Sequence, residues 1–170
     1  MPVQRTGLTD FTFSRFLVPH LSGYKGRSLF LDADMLVRCD VWALLDHADD
    51  SAVQVVKVPE RFEWPALMLF NNEKCHGLTL EYVENGDPFS LEWGDVGELP
   101  SEYHHIVGYH EPKDAKIVHF TMGIPEWPEV RPCEYQDEWH REKQMALGNC
   151  SWLELMGKSV HAESVLRKYL

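Results

Sequence analysis

Apolar and polar positions along the chain follow two periods, and their succession predicts an α/β fold. Phe13, Phe16, Leu17 and His20 recur at helical spacing, so a helix is expected over Thr12 to Leu21, ended by Gly23 and Gly26. Ser28 to Leu31 is a compact apolar strand that stops at Asp32. Met35 to Val37 and a short helix around Val41 to Leu45 follow. Ala52 to Val58 alternates as a strand does, and Ala66 to Phe70 is a buried apolar run leading into Asn71 and Asn72. Leu78 to Val83 reads as a helix, whereas Phe89 to Trp93, the Gly94-Asp95 turn and Ile106 to Tyr109 carry shorter signals. Ala115 to Phe120 is a buried strand ending near His119. Pro125, Pro128 and Pro132 mark a loop, after which Asp137 to Leu147 and Trp152 to Tyr169 are expected as closing helices.

Length adds little to this picture, because 170 residues suit one core with a tail. The expected division is a domain over residues 1–148 and a C-terminal helix over 149–170. Charge changes more. A net charge of −11 repels phosphate backbones and anionic lipid, so nucleic acid is not an expected partner, and an anionic substrate would need a local cation. Cys39, Cys75, Cys133 and Cys150 are widely spaced without a CxxC pair, which speaks against a disulfide framework or a zinc site. With no secretory leader and no apolar run long enough to span a bilayer, a cytoplasmic location is expected. Trp152, Met156 and Val160 form one apolar side of the last segment, expected to pack on the domain, with peripheral docking at the inner membrane as the other reading.

Candidate chemistry gathers where strands end. Asp32 and Asp34 flank a single residue, and alternate residues of an extended segment point alike, so the two carboxylates can share one cation. Hard oxygen ligands suit Mg2+ or Mn2+, and an imidazole from His119 would tilt the choice toward Mn2+. The competing reading is a pair of solvated turn carboxylates and a core histidine satisfied by backbone. His104, His105 and His110 lie near a turn and read as solvated loop residues without a role.

The segment FSRFLVPHLSGYKGRSLFLDADMLV resembles the core of the retaining glycosyltransferases that include glycogenin and the bacterial lipopolysaccharide galactosyltransferases. The likeness runs from about Phe11 to Trp139, through PALMLFNN, GDVGELPSEYHHIVG and AKIVHFTMGIPEW in the same order. It is nearest to a bacterial subgroup, mostly unassigned in acceptor, that carries a segment like CEYQDEW. The resemblance implies a GT-A-like, Rossmann-like mixed sheet flanked by helices. It implies that Asp32, Asp34 and His119 hold Mn2+ or Mg2+, which bridges the diphosphate of a nucleotide-sugar donor, UDP-sugar being the first choice. Arg15 matches an arginine that reaches the donor, and a guanidinium is well shaped for paired oxygens. Asn71 and Asn72 match positions lining the sugar site, and Asp95 a polar residue near the transferred sugar or acceptor, the one candidate catalytic residue. Gly123 matches a glycine that lets backbone approach the phosphates. The chain departs from the family in the next stretch, where Gly123-Ile124-Pro125-Glu126-Trp127 lacks the usual lysine.

The activity so implied is sugar transfer with retention to a glycan, lipid or protein acceptor. Two rivals remain open at this point: a non-catalytic or partner-dependent degenerate transferase domain, and a haloacid-dehalogenase-like phosphatase, whose motifs LFLDADMLV and GDVGE also resemble. The family's first strand and following loop, which hold the nucleotide base, have no counterpart before Thr12. The chain is therefore expected to be incomplete at its amino end, with an unpaired sheet edge inviting self-association.

Overall fold

The structure, a computed structural model, describes residues 11–87, 90–111, 114–151 and 154. The expected C-terminal helix from Trp152 and the opening Met1 to Asp10 lie outside the described residues, apart from Glu154. The strands are β1 (Arg27–Leu31), β2 (Met35–Val37), β3 (Val53–Val55), β4 (Leu67–Asn71), β5 (Val96–Glu98), β6 (His105–Ile106) and β7 (Ile117–His119). The α-helices are α1 (Phe11–Ser14), α2 (Val18–Leu21), α3 (Leu80–Asn85) and α4 (Gln136–Leu147), with 3₁₀ turns between. The architecture is mixed α/β, with two mixed sheets and helices.

The chain divides into two compact units. The first holds the described residues up to Ala33 together with Cys39–His104, and the second holds Asp34–Arg38 and the described residues from His105 on.

In the first unit the strand order is β1-β4-β3-β5. β4 pairs antiparallel with both neighbours, and β3 runs parallel to β5. Leu67 to Phe70 are buried without alternation, as a strand covered on both faces requires. Phe13 and Phe16 pack onto this sheet in one core with Val53, Val55, Met68, Phe70 and Cys75. The expected continuous helix over Thr12 to Leu21 is instead α1, a 3₁₀ turn at Arg15–Leu17, and α2. Pro19 explains the break, since it has no N–H to donate to the Arg15 carbonyl and the backbone tightens there. Gly23 then ends α2 at φ +62, a conformation that favours glycine. Thr79 caps α3 by accepting the Tyr82 N–H at 3.1 Å.

The apolar segment Phe89 to Trp93, with its shorter signal, forms no strand at Ser90 to Trp93; β5 lies beyond the turn instead. Leu91 and Trp93 are drawn into the core from a loop, Trp93 meeting the Phe16 ring at 5.5 Å between centroids. Their apolar character reported burial, and burial alone does not make a strand.

In the second unit the order is β2-β7-β6, antiparallel then parallel. Leu36, Ala115, Val118 and Phe120 form its core, covered by Tyr135 and Trp139. Arg38 ties the sheet to α4. Its Nε donates to Glu138 at 2.7 Å, another nitrogen reaches Asp114 at 3.0 Å, and the guanidinium lies over the Tyr135 ring at 4.9 Å. β6 is shorter than the run Ile106 to Tyr109 suggested, because the chain turns at Gly108 with φ +81.

Candidate metal centre

Asp32 is placed by β1. Leu31 pairs with Leu67, and the next N–H, that of Asp32, donates to the Ala66 carbonyl at 2.9 Å. The Asp32 carboxylate meets the Arg15 guanidinium at 3.0 Å, and both side chains are largely shielded. Arg15 also lies over the Phe30 ring, 5.2 Å from its centroid. Its Nε is buried without a hydrogen-bond partner.

Asp34 and His119 are brought together by the β2/β7 pairing. Met35 faces His119 in register, and the Phe120 N–H donates to the Asp34 carbonyl at 3.0 Å. His119 Nε2 then stands 3.3 Å from Asp34 Oδ1, with the imidazole buried and the carboxylate half-exposed. Only Ala33 separates Asp32 from Asp34, so the covalent chain carries the second carboxylate to the first. Asp34 and His119 belong to the second unit, and Asp32 lies near the end of the first segment of the first unit, two residues before Asp34.

The other site residues expected from the sequence lie elsewhere. Asn71 faces Arg27 at the far end of β1, and the Asn72 N–H donates to the Gly26 carbonyl at 3.0 Å. At about 3.3 Å per residue, six residues of extended chain put Asn72 roughly 20 Å from Asp32. Its side-chain amide donates to the Lys25 carbonyl at 2.9 Å and to Ser28 Oγ at 2.8 Å, so it braces the start of β1. Asp95 sits toward the Asn71 end as well, where its Oδ1 accepts the Ala52 N–H at 3.1 Å. Gly123 follows β7, and its N–H donates to the Phe120 carbonyl at 2.8 Å. It has φ +124, and a Cβ there would come within 2.5 Å of the Trp127 ring.

Two histidines read as solvated are not. His104 and His105 are both fully buried, and His105 Nε2 contacts Glu134 Oε2 at 2.7 Å. His105 and Ile106 are both fully buried, so no alternation along the strand marks the histidine as an inward residue. Glu63, a buried carboxylate in the turn Arg61–Ala66 that delivers Ala66 to Asp32, was also passed over.

Over 168 aligned residues the chain is 30% identical to Protein CDI of Arabidopsis thaliana, taking in 80% of this chain and 65% of that protein. The chain thus spans slightly less than two thirds of that relative's length. No protein-family model and no solved structure matches it. Among the described residues no helix is long and apolar enough to cross a membrane.

Proposed function

We propose that this chain is a metal-dependent glycosyltransferase domain of the GT-A type, moving a sugar from a nucleotide-sugar donor, UDP-sugar by preference, to an acceptor hydroxyl with retention. The observation that carries this reading is the Asp34 carboxylate set against the buried His119 imidazole, two residues after an Asp32 whose guanidinium partner still has a hydrogen bond to give. The donor set is that of a hard divalent ion, with the imidazole favouring Mn2+ over Mg2+. Asp32, Asp34 and His119 would hold the ion. When bound, it supplies Lewis acidity to the diphosphate leaving group.

The residues themselves do the rest of the positioning. Arg15 holds Asp32 in place through one nitrogen, while its buried Nε–H is a donor without an acceptor, matching a ligand oxygen beside Asp32. The β2/β7 register sets the His119 ring against Asp34, so neither side chain has to search for the other. Gly123 leaves room for the Trp127 ring, which a Cβ there would meet at 2.5 Å.

A non-catalytic, partner-dependent domain is the second reading. It is favoured by one observation: Asn71, Asn72 and Asp95 lie at the opposite strand end from Asp32 and cannot line a sugar held there. The discriminating experiment is thermal melting with UDP and Mn2+. The transferase reading expects the two together, and neither alone, to raise the melting temperature, since a ligand that binds only the folded state stabilises it. Donor hydrolysis that survives in full in an Asp32→Ala protein would defeat it.

A further inference from the structure

The second unit contains a cavity of about 570 Å³, open to solvent, just beyond the end of β7 that carries His119. Its walls are mostly apolar, with Val107, Phe120, Val130 and Pro132 among them, and two glutamates, Glu129 and Glu134, line it as well. Among the described residues that line it there is no lysine or arginine.

Glu134 is held from behind. The fully buried His105 reaches its Oε2 at 2.7 Å, and the rings of Tyr135 and His110 stand edge-on to the imidazole at 5.7 and 5.8 Å. A carboxylate only accepts, so Nε2 carries the proton, and Nδ1 is left buried with no hydrogen-bond partner. A histidine that served packing alone would not strand an acceptor in the interior, because an unsatisfied buried polar atom is costly. What it achieves is to fix one oxygen of Glu134 and leave the other acceptor sites available at the cavity wall. Cys133 offers no reactive alternative, since burial, reinforced by the Glu134 charge, pushes its thiol up.

We propose that this cavity binds a neutral saccharide, with Glu134 and Glu129 accepting its hydroxyl hydrogens and Val107, Phe120 and Val130 covering its C–H faces. Anionic sugars are disfavoured, for two carboxylates and no lysine or arginine are among the described lining residues, within a chain of net charge −11. The volume admits a mono- or disaccharide. That the saccharide is the acceptor of transfer rests on the transferase reading above; that it binds does not.

The test is a heteronuclear NMR titration of the full chain with methyl β-glucoside, glucuronate and glucosamine, without metal or nucleotide. Shifts confined to the cavity residues with the glucoside, and none with glucuronate, are expected. Glu134→Gln should weaken glucoside binding about tenfold, the loss of one charge-assisted hydrogen bond. Glu129→Gln, on an exposed turn, should weaken it by a smaller factor. No shifts with the glucoside, equal binding of glucuronate, binding of glucosamine alone, or unchanged affinity in both variants would each overturn the proposal. Because no metal is present, its failure leaves the Mn2+ experiment to judge the transferase reading separately.

Discussion

Asp95 separates a catalytic role from a structural one in a single substitution series. Its Oδ1 accepts the N–H of Ala52 at 3.1 Å, and its own carbonyl accepts the N–H of Val53, so it closes the turn that starts β3. Ala52 is 1% exposed, which leaves little room for water to replace the lost acceptor. Asp95→Ala should therefore cost about 1–3 kcal/mol, the range for a buried donor left without its partner. At about 2–4 °C per kcal/mol for a chain of this size, the melting temperature falls by about 2–12 °C. Asp95→Asn keeps an acceptor oxygen in the same place and should lose about 1 kcal/mol or less. Calorimetry on both variants, with hydrogen exchange at the Ala52 amide, measures the difference. Mn2+ affinity should be unchanged in either, because Asp95 lies at the strand end away from Asp32. An alanine variant as stable as the parent, or an asparagine variant as weak as alanine, would refute the reasoning.

Burial, reinforced by the charge of Asp95, pushes the Cys75 thiol up to about 11. The unfolded thiol gives up its proton first, near pH 8.5, so stability should fall between about pH 8.5 and 11; urea melts that stay flat across that window would contradict this. Gly123→Ala combines φ +124 with a Cβ 2.5 Å from the Trp127 ring. It should cost about 1–3 kcal/mol and move Trp127, visible as a change in tryptophan emission. Arg38→Ala removes the paired bonds to Glu138 at 2.7 and 3.3 Å and should cost about 1–3 kcal/mol, with faster hydrogen exchange along α4.

Much of this was legible in the sequence because burial leaves a periodic trace. The strand ending at Asp32 and the β7 segment ending at His119 were both apolar runs with a polar stop, and both strands form where expected. The convergence of Asp34 with His119 was legible only as chemistry, since nothing local encodes that β2 pairs with β7. The misplacement of Asn71, Asn72 and Asp95 has a related cause. β4 runs antiparallel to β1, so a residue at the carboxyl end of β4 lies beside the beginning of β1, and strand direction is a property of the sheet that no single segment carries. Pro19 could have been read as the break in the first helix from its missing N–H alone. His105 could not, because its burial depends on the parallel pairing of β6 with β7 and on a glutamate 29 residues away.

The most direct test of the metal centre is calorimetric titration of Mn2+ into the full chain and into its Asp34→Ala and His119→Ala variants. Both ligands stand at strand ends fixed by the β2/β7 ladder, so the variants should keep the fold, as judged by circular dichroism. A saturable one-site isotherm in the parent and its loss in both variants is the predicted result. Equal Mn2+ affinity in all three proteins would remove Asp34 and His119 from the site and with them the proposed function.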